Sequence, residues 1–302
     1  WLDFNARVLQ EAADVEVPII ERLRFLGIFS NNLDEFFQVR YATVKRIAES
    51  VVDKNNSKNK KAINLLDQIT NKVIRLQTKS SKILDSIQLS LKKDGIYFIN
   101  ENEVKDSQKE FLKDYFIRKI SPALVTIILS KRKKYDFTDN KAFLIASMSF
   151  KTKENINAIV EIPENISRFV VIPKKTKKQY IMLIDDIIRY HLNIIFSYFN
   201  YDRIDAHMVK ITRDAEIDID DIDLSKSYIK KISEYVRKRK YSNPVRLVYD
   251  KSISKTTLEL IIKKLKITSN DSLIPGARYH QRRDYMSFPD LSRSDLLYKR
   301  KE

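Results

Sequence analysis

Through residues 1–94 the apolar positions recur three and four apart, and beyond Gly95 they close up into short runs. The first spacing puts apolar side chains on one face of a helix, and the second is that of strands. Leu2 to Ala13 reads as a first helix with Phe4, Val8, Leu9 and Ala12 on one side. Asp14 to Pro18 breaks it, and Pro18 suits the first turn of the next helix, where a missing N–H costs nothing. That second helix carries Phe25, Leu26, Phe29, Leu33, Phe36, Phe37 and Val39 and is expected to reach about Val52. A polar loop, Asp53 to Lys61, follows. Ile63, Leu66, Ile69, Val73, Leu76, Ile83, Ile87 and Leu91 then mark a long helix that Asp94-Gly95 ends.

The pattern then changes. Ile96–Ile99 is a short strand-like run, and Glu103–Ile120 is helical, with Phe111, Tyr115 and Phe116 apolar. Compact β-branched or aromatic runs bounded by polar turns follow at Ala142–Phe150, Asn157–Ile162, Arg168–Ile172 and Tyr180–Ile184. Asp185–Phe199, Ser227–Lys240 and Thr256–Lys266 read as helices, and Met208–Thr212 and Val245–Tyr249 as further strands. Strands and helices without a regular βαβ repeat predict an α+β region. The expected organisation is multidomain α+β: a helical bundle over 1–94, then an α+β domain over 95–302, each burying its own core.

One stretch resists this simple reading. Ser30, Asn31 and Asn32 lie in the middle of the second helical pattern, where an asparagine amide competes for backbone groups. Either Asn31 or Asn32 is the N-cap of a new helix starting near Leu33, or the amide offers its donor and acceptor to a ligand. With the helix starting there, Asp34 and Glu35 would fall in its first turn, stabilised by the dipole, and would be structural.

Composition narrows the chemistry. There is no Cys, so disulfides, thiolate metal sites and thiol nucleophiles are excluded, and 3 well-separated His do not make a metal site. Three Gly leave no room for a phosphate-cradling glycine loop. No apolar run is long enough to span a membrane, and a cytoplasmic location is the expectation. The net charge is +17; residues 1–35 carry 3 Lys/Arg and 7 Asp/Glu, leaving +21 for the remainder. Such an excess favours a polyanionic partner or an acidic membrane surface, or else is a set of solvated lysine-rich faces. Three clusters concentrate it: Lys131-Arg-Lys-Lys134, Lys174-Lys-Thr-Lys-Lys178 and Arg237-Lys-Arg-Lys240.

The segments Trp1-Leu-Asp-Phe-Asn-Ala-Arg-Val-Leu-Gln-Glu-Ala-Ala-Asp14 and Pro18-Ile-Ile-Glu-Arg-Leu-Arg-Phe-Leu-Gly-Ile-Phe-Ser-Asn-Asn-Leu-Asp-Glu-Phe-Phe-Gln-Val-Arg40 resemble the N-terminal domain of bacterial polyphosphate kinase. This is the long-chain-synthesising type that phosphorylates itself on histidine. Thr212-Arg-Asp-Ala-Glu-Ile-Asp-Ile-Asp220, Pro244-Val-Arg-Leu-Val-Tyr-Asp-Lys251 and Ile274-Pro-Gly-Ala-Arg-Tyr-His-Gln-Arg-Arg-Asp-Tyr-Met-Ser-Phe-Pro289 are similar to its head domain.

The resemblance implies a kinase that moves the terminal phosphate of ATP to a histidine and then, reversibly and with Mg2+, to growing polyphosphate. It places the catalytic histidines and the Mg2+ and phosphate ligands in later domains outside this chain, so no catalytic residue and no metal ligand is expected here, and the fragment alone is expected to be inactive. It assigns ATP binding to Asn32, with Leu33, Phe29 or Phe36 as an apolar wall. It implies a homo-oligomer, dimer or tetramer, with Arg213, Asp214 and Arg246 near subunit contacts. Peripheral association with the inner face of a membrane is a second location the basic excess allows, and no specific nucleic-acid partner is expected. His280 is expected to be a hydrogen-bonded interdomain residue and His191 to be packed; His207 precedes a predicted strand. Two readings from other classes stay open: a non-catalytic module binding polyphosphate, RNA or acidic lipid, and an oligomerisation scaffold.

Overall fold

The computed structural model describes residues 1–50, 57–130, 135, 137–174, 177–215 and 243–299. The helical portion comprises α1 (Leu2–Ala13), α2 (Ile19–Phe36), α3 (Ala42–Ser50) and α4 (Ser57–Lys93). At 37 residues, α4 is about 55 Å long. Gly95 adopts a φ of +78° just past its end, the left-handed turn that a glycine enters without a Cβ clash. Leu2, Asn5, Leu9 and Ala12 are the buried face of α1, so the stripe is rotated from that expected: Phe4 is 60% exposed and Asn5 takes an inward position.

No cap interrupts α2 at Asn31 or Asn32. The helix continues through both and passes by one π-helical turn, Phe37–Tyr41, directly into α3. The N-cap expectation is therefore overturned. The apolar neighbours Leu33, Phe36, Phe37 and Tyr41 are all in the core, and their packing holds the helix through a locally unfavourable pair.

The remainder comprises β1 (Ile96–Ile99), α5 (Asp106–Tyr115), β2 (Val125–Ile128), β3 (Ala142–Ser149), β4 (Ile156–Glu161), β5 (Phe169–Ile172), β6 (Gln179–Leu183), α6 (Ile184–Tyr190), α7 (Leu192–Ile195), β7 (Arg203–Arg213), β8 (Pro244–Asp250), α8 (Lys255–Leu265) and β9 (Ser272–Gly276). The three-stranded sheet has the order β1-β6-β5 and the six-stranded sheet β2-β4-β3-β7-β8-β9. Among the described strands, only β1/β6 and β8/β9 pair in parallel. The central strand β3 is covered on both faces: Leu144, Ala146 and Met148 face one core, and Phe143 and Ile145 the other. A strand buried on both sides reads as a continuous apolar run.

Other expectations shift. The helix expected over Asp185–Phe199 is split at His191 into α6 and α7. His207 lies within β7, not before it. The helix expected at Ser227–Lys240, the basic clusters 131–134 and 237–240, and the acidic end of the 212–220 motif lie outside the described residues. The helical portion has no core of its own. Its apolar cluster continues into Phe169, Ile181 and Leu183 of the small sheet, Val245, Val248 and Ile274 of the large one, and Tyr285, Phe288 and Leu296. Among the described residues no helix is long and apolar enough to cross a membrane.

Candidate functional site

Asn32 sits late in α2, half-buried, and its Nδ2 donates to Asn5 Oδ1 at 3.1 Å. Asn5, buried in α1, donates from its own Nδ2 to the Phe29 carbonyl at 3.1 Å. The two amides thus stitch α1 to α2, which explains an asparagine inside a helix: its partner is the neighbouring helix. No described residue donates to Asn32 Oδ1, so the amide keeps a free acceptor and one N–H. Ile28 and Glu35, one turn before and after it on the same face, are exposed. Phe29, Leu33 and Phe36 are core residues at 2%, 2% and 7% exposure, so they do not form an open apolar wall beside Asn32.

Two residues on, Asp34 points the other way. It is buried and binds Lys210 Nζ of β7 at 2.5 Å and Arg246 Nη2 of β8. Arg246 also donates to Thr212 Oγ1, at 3.1 Å from Nε and 2.7 Å from Nη2, and its guanidinium lies 4.4 Å from the Phe37 ring centroid. Burial by itself would raise the Asp34 carboxyl, but the charges and hydrogen bonds of Lys210 and Arg246 outweigh it and hold it below its ordinary value. Burial pushes the Lys210 ammonium down to about 8, against the pull of Asp34. Asp34 is structural, as expected, but through this triad and not through a first-turn position. Glu35 is exposed.

Lys45 of α3 adds a second tie, donating to Asp271 at 2.5 Å and to the Pro244 carbonyl at 2.7 Å. Arg46 pairs with Asp214. Arg213, Asp214 and Arg246 are all buried, and the partners seen for Asp214 and Arg246 belong to this same chain. Lys210 escaped the sequence reading, although a lysine between Val209 and Ile211 in an apolar strand signals a buried counter-charge.

His280 is buried between α2, α4 and β9, beside a cavity of about 220 Å³. Its backbone N–H donates to Met208 Sδ at 3.0 Å, and its ring Nε2 is enclosed without a partner. Burial, reinforced by the charges of Arg282, Lys210, Arg189 and Arg246, pushes its pKa down to about 3. His191 is packed as expected, its ring 4.3 Å from that of Phe116 and its Nδ1 2.8 Å from the Ile187 carbonyl. Among the described residues no group of three His, Cys, Asp or Glu is placed to hold a metal ion.

Residues 1–99 match the profile of the polyphosphate kinase N-terminal domain, and residues 107–288 that of the polyphosphate kinase middle domain. The chain belongs to the polyphosphate kinase family. It is 36% identical over 301 residues to the polyphosphate kinase of Vibrio vulnificus (strain YJ016), covering 98% of this chain and 43% of the relative. Against the Escherichia coli (strain K12) polyphosphate kinase it is 34% identical over 309 residues, covering 99% and 44%. The crystal structure of polyphosphate kinase from Porphyromonas gingivalis superposes with a TM-score of 0.80 at 27% identity, covering all of this chain and 42% of that one. The chain thus spans less than half the length of these polyphosphate kinases.

Proposed function

We propose that this chain is the front portion of a polyphosphate kinase, in which Asn32 contacts ATP and the α+β region supports assembly. The observation that carries the reading is the free Oδ1 and remaining N–H of Asn32, on a helix fixed by the Asp34 triad. An amide with both capacities can pair with the edge of an adenine, as asparagine does when it reads that base elsewhere. In the whole enzyme the terminal phosphate of ATP would pass to a histidine outside this chain and then, reversibly, to polyphosphate. Division into two steps is covalent catalysis, and Mg2+ would be held by residues outside this chain. The protein would work in the cytoplasm as a homo-oligomer.

The test is calorimetric titration of ATP into the chain and its Asn32→Ala variant. The substitution leaves the buried Asn5 Oδ1 without its donor, a cost of about 1–3 kcal/mol that the better helix propensity of alanine offsets in part. Loss of ATP binding by a variant that still unfolds cooperatively supports the assignment, whereas equal ATP affinity removes it. The charge of +17 supports a second reading, a polyanion-binding module. Polyphosphate binding without ATP binding, weakening steeply with salt, would favour it.

A further inference from the structure

The cavity of about 220 Å³ between α2, α4 and β9 has an unbalanced wall. Lys251 and Arg282 line it together with His280, and none of its fifteen lining residues is acidic. The larger cavity of about 390 Å³ beside β5 is different, since Lys141, Arg168 and Arg283 there face Glu164 and Asp284.

Arg282 is held by hydroxyls: Nη1 donates to Ser80 Oγ at 3.1 Å and Nη2 to Ser81 Oγ at 2.9 Å, both on α4. Neither Arg282 nor Lys251 makes a salt bridge with any described residue. Arg282 Nε and His280 Nε2 are enclosed without a hydrogen-bond partner. Asp85 favours the Arg282 charge only from beyond salt-bridge distance, burial still opposes that charge, and an anion in the cavity is what would compensate it. The neutral imidazole of His280 has one N–H to offer such an anion.

The space is equivalent to about seven waters and falls below the roughly 300–1,000 Å³ of pockets for drug-sized ligands. We infer that this cavity is a binding site for a small inorganic oxyanion of the phosphate class, with Arg282 and Lys251 as its cations and Ser80 and Ser81 fixing the guanidinium. Asn32 does not line it, so this inference stands apart from the ATP reading.

Orthophosphate, pyrophosphate and tripolyphosphate are titrated separately into the 302-residue chain at constant ionic strength, followed by calorimetry. Saturable binding is expected. Lys251→Ala and Arg282→Gln should each weaken it about tenfold, as loss of a charge-assisted contact does. Lys251 is exposed, so Lys251→Ala keeps the test decisive even if Arg282→Gln fails to fold. Lys109→Ala, an exposed lysine on α5, controls for net charge and should leave the affinity unchanged. Binding of orthophosphate identifies a site for the free ion; binding of the longer probes alone identifies a site for a chain end. No saturation by about 10 mM of any probe, or equal losses in Lys251→Ala and Lys109→Ala, would overturn the inference.

Discussion

Two residues apart on α2, Asn32 and Asp34 face different surroundings and have different tests. Asp34→Asn leaves Lys210 and Arg246 buried beside a neutral amide. Breaking a buried ion pair by removing one partner typically destabilises by about 3–5 kcal/mol, so a loss of that size in urea unfolding is expected. A loss below about 1 kcal/mol would show that the triad is wet or dispensable. His280 gives a pH signature. Its folded pKa is depressed to about 3, below an unfolded value near 6.5. The stability it contributes is present above the unfolded value and is lost as pH falls from there through the folded one. His280→Gln should therefore flatten the decline in stability between about pH 6.5 and pH 4 relative to the parent chain. Parallel curves for the two proteins would contradict a buried neutral imidazole.

At the scale of elements, the decisive contact is between α2 and the turn Arg282–Ser287. Gly27 makes it possible: a Cβ built there would lie 2.5 Å from the backbone nitrogen of Met286. Gly27→Ala would gain helix propensity in isolation, yet here it must push a backbone segment away. A net destabilisation of about 1–3 kcal/mol is expected, measurable as a lower unfolding midpoint, and a stabilised variant would refute the close packing. The elements differ in how legible they were. β1 and the central strands were readable because their apolar runs are compact and bounded by polar turns. β2 and β9 were missed. β2 is a four-residue edge strand with three of its residues exposed, and β9 contains Pro275 and Gly276, residues that argue against a strand except at a sheet edge. The extent of this helical run to about Val52 was legible, but its unbroken passage through Asn31 and Asn32 was hidden, because packing of Leu33, Phe36 and Phe37 overrides the preference of two asparagines.

For the whole molecule, one apolar cluster runs from Leu2 on α1 through α2 and α4 to Val248, Ile274 and Leu296. The buried pairs Asp34–Lys210, Asp34–Arg246 and Lys45–Asp271 cross the same boundary. The helical and α+β portions should therefore unfold together, in one calorimetric transition with equal calorimetric and van't Hoff enthalpies. Two resolved transitions would show that the shared core is too weak to couple them. By itself the sequence determined the helical and strand periods, the family through the residues around Asn32 and Tyr279-His280, and the charge imbalance, because these are local or additive properties of the chain. Only the tertiary structure decided that Asn32 answers Asn5, that Asp34 meets Lys210 and Arg246 across 176 and 212 positions, and that Arg282 and Lys251 share a wall without an acid. Such pairings depend on which buried charges meet after the chain has folded, and no spacing along the sequence encodes that distance.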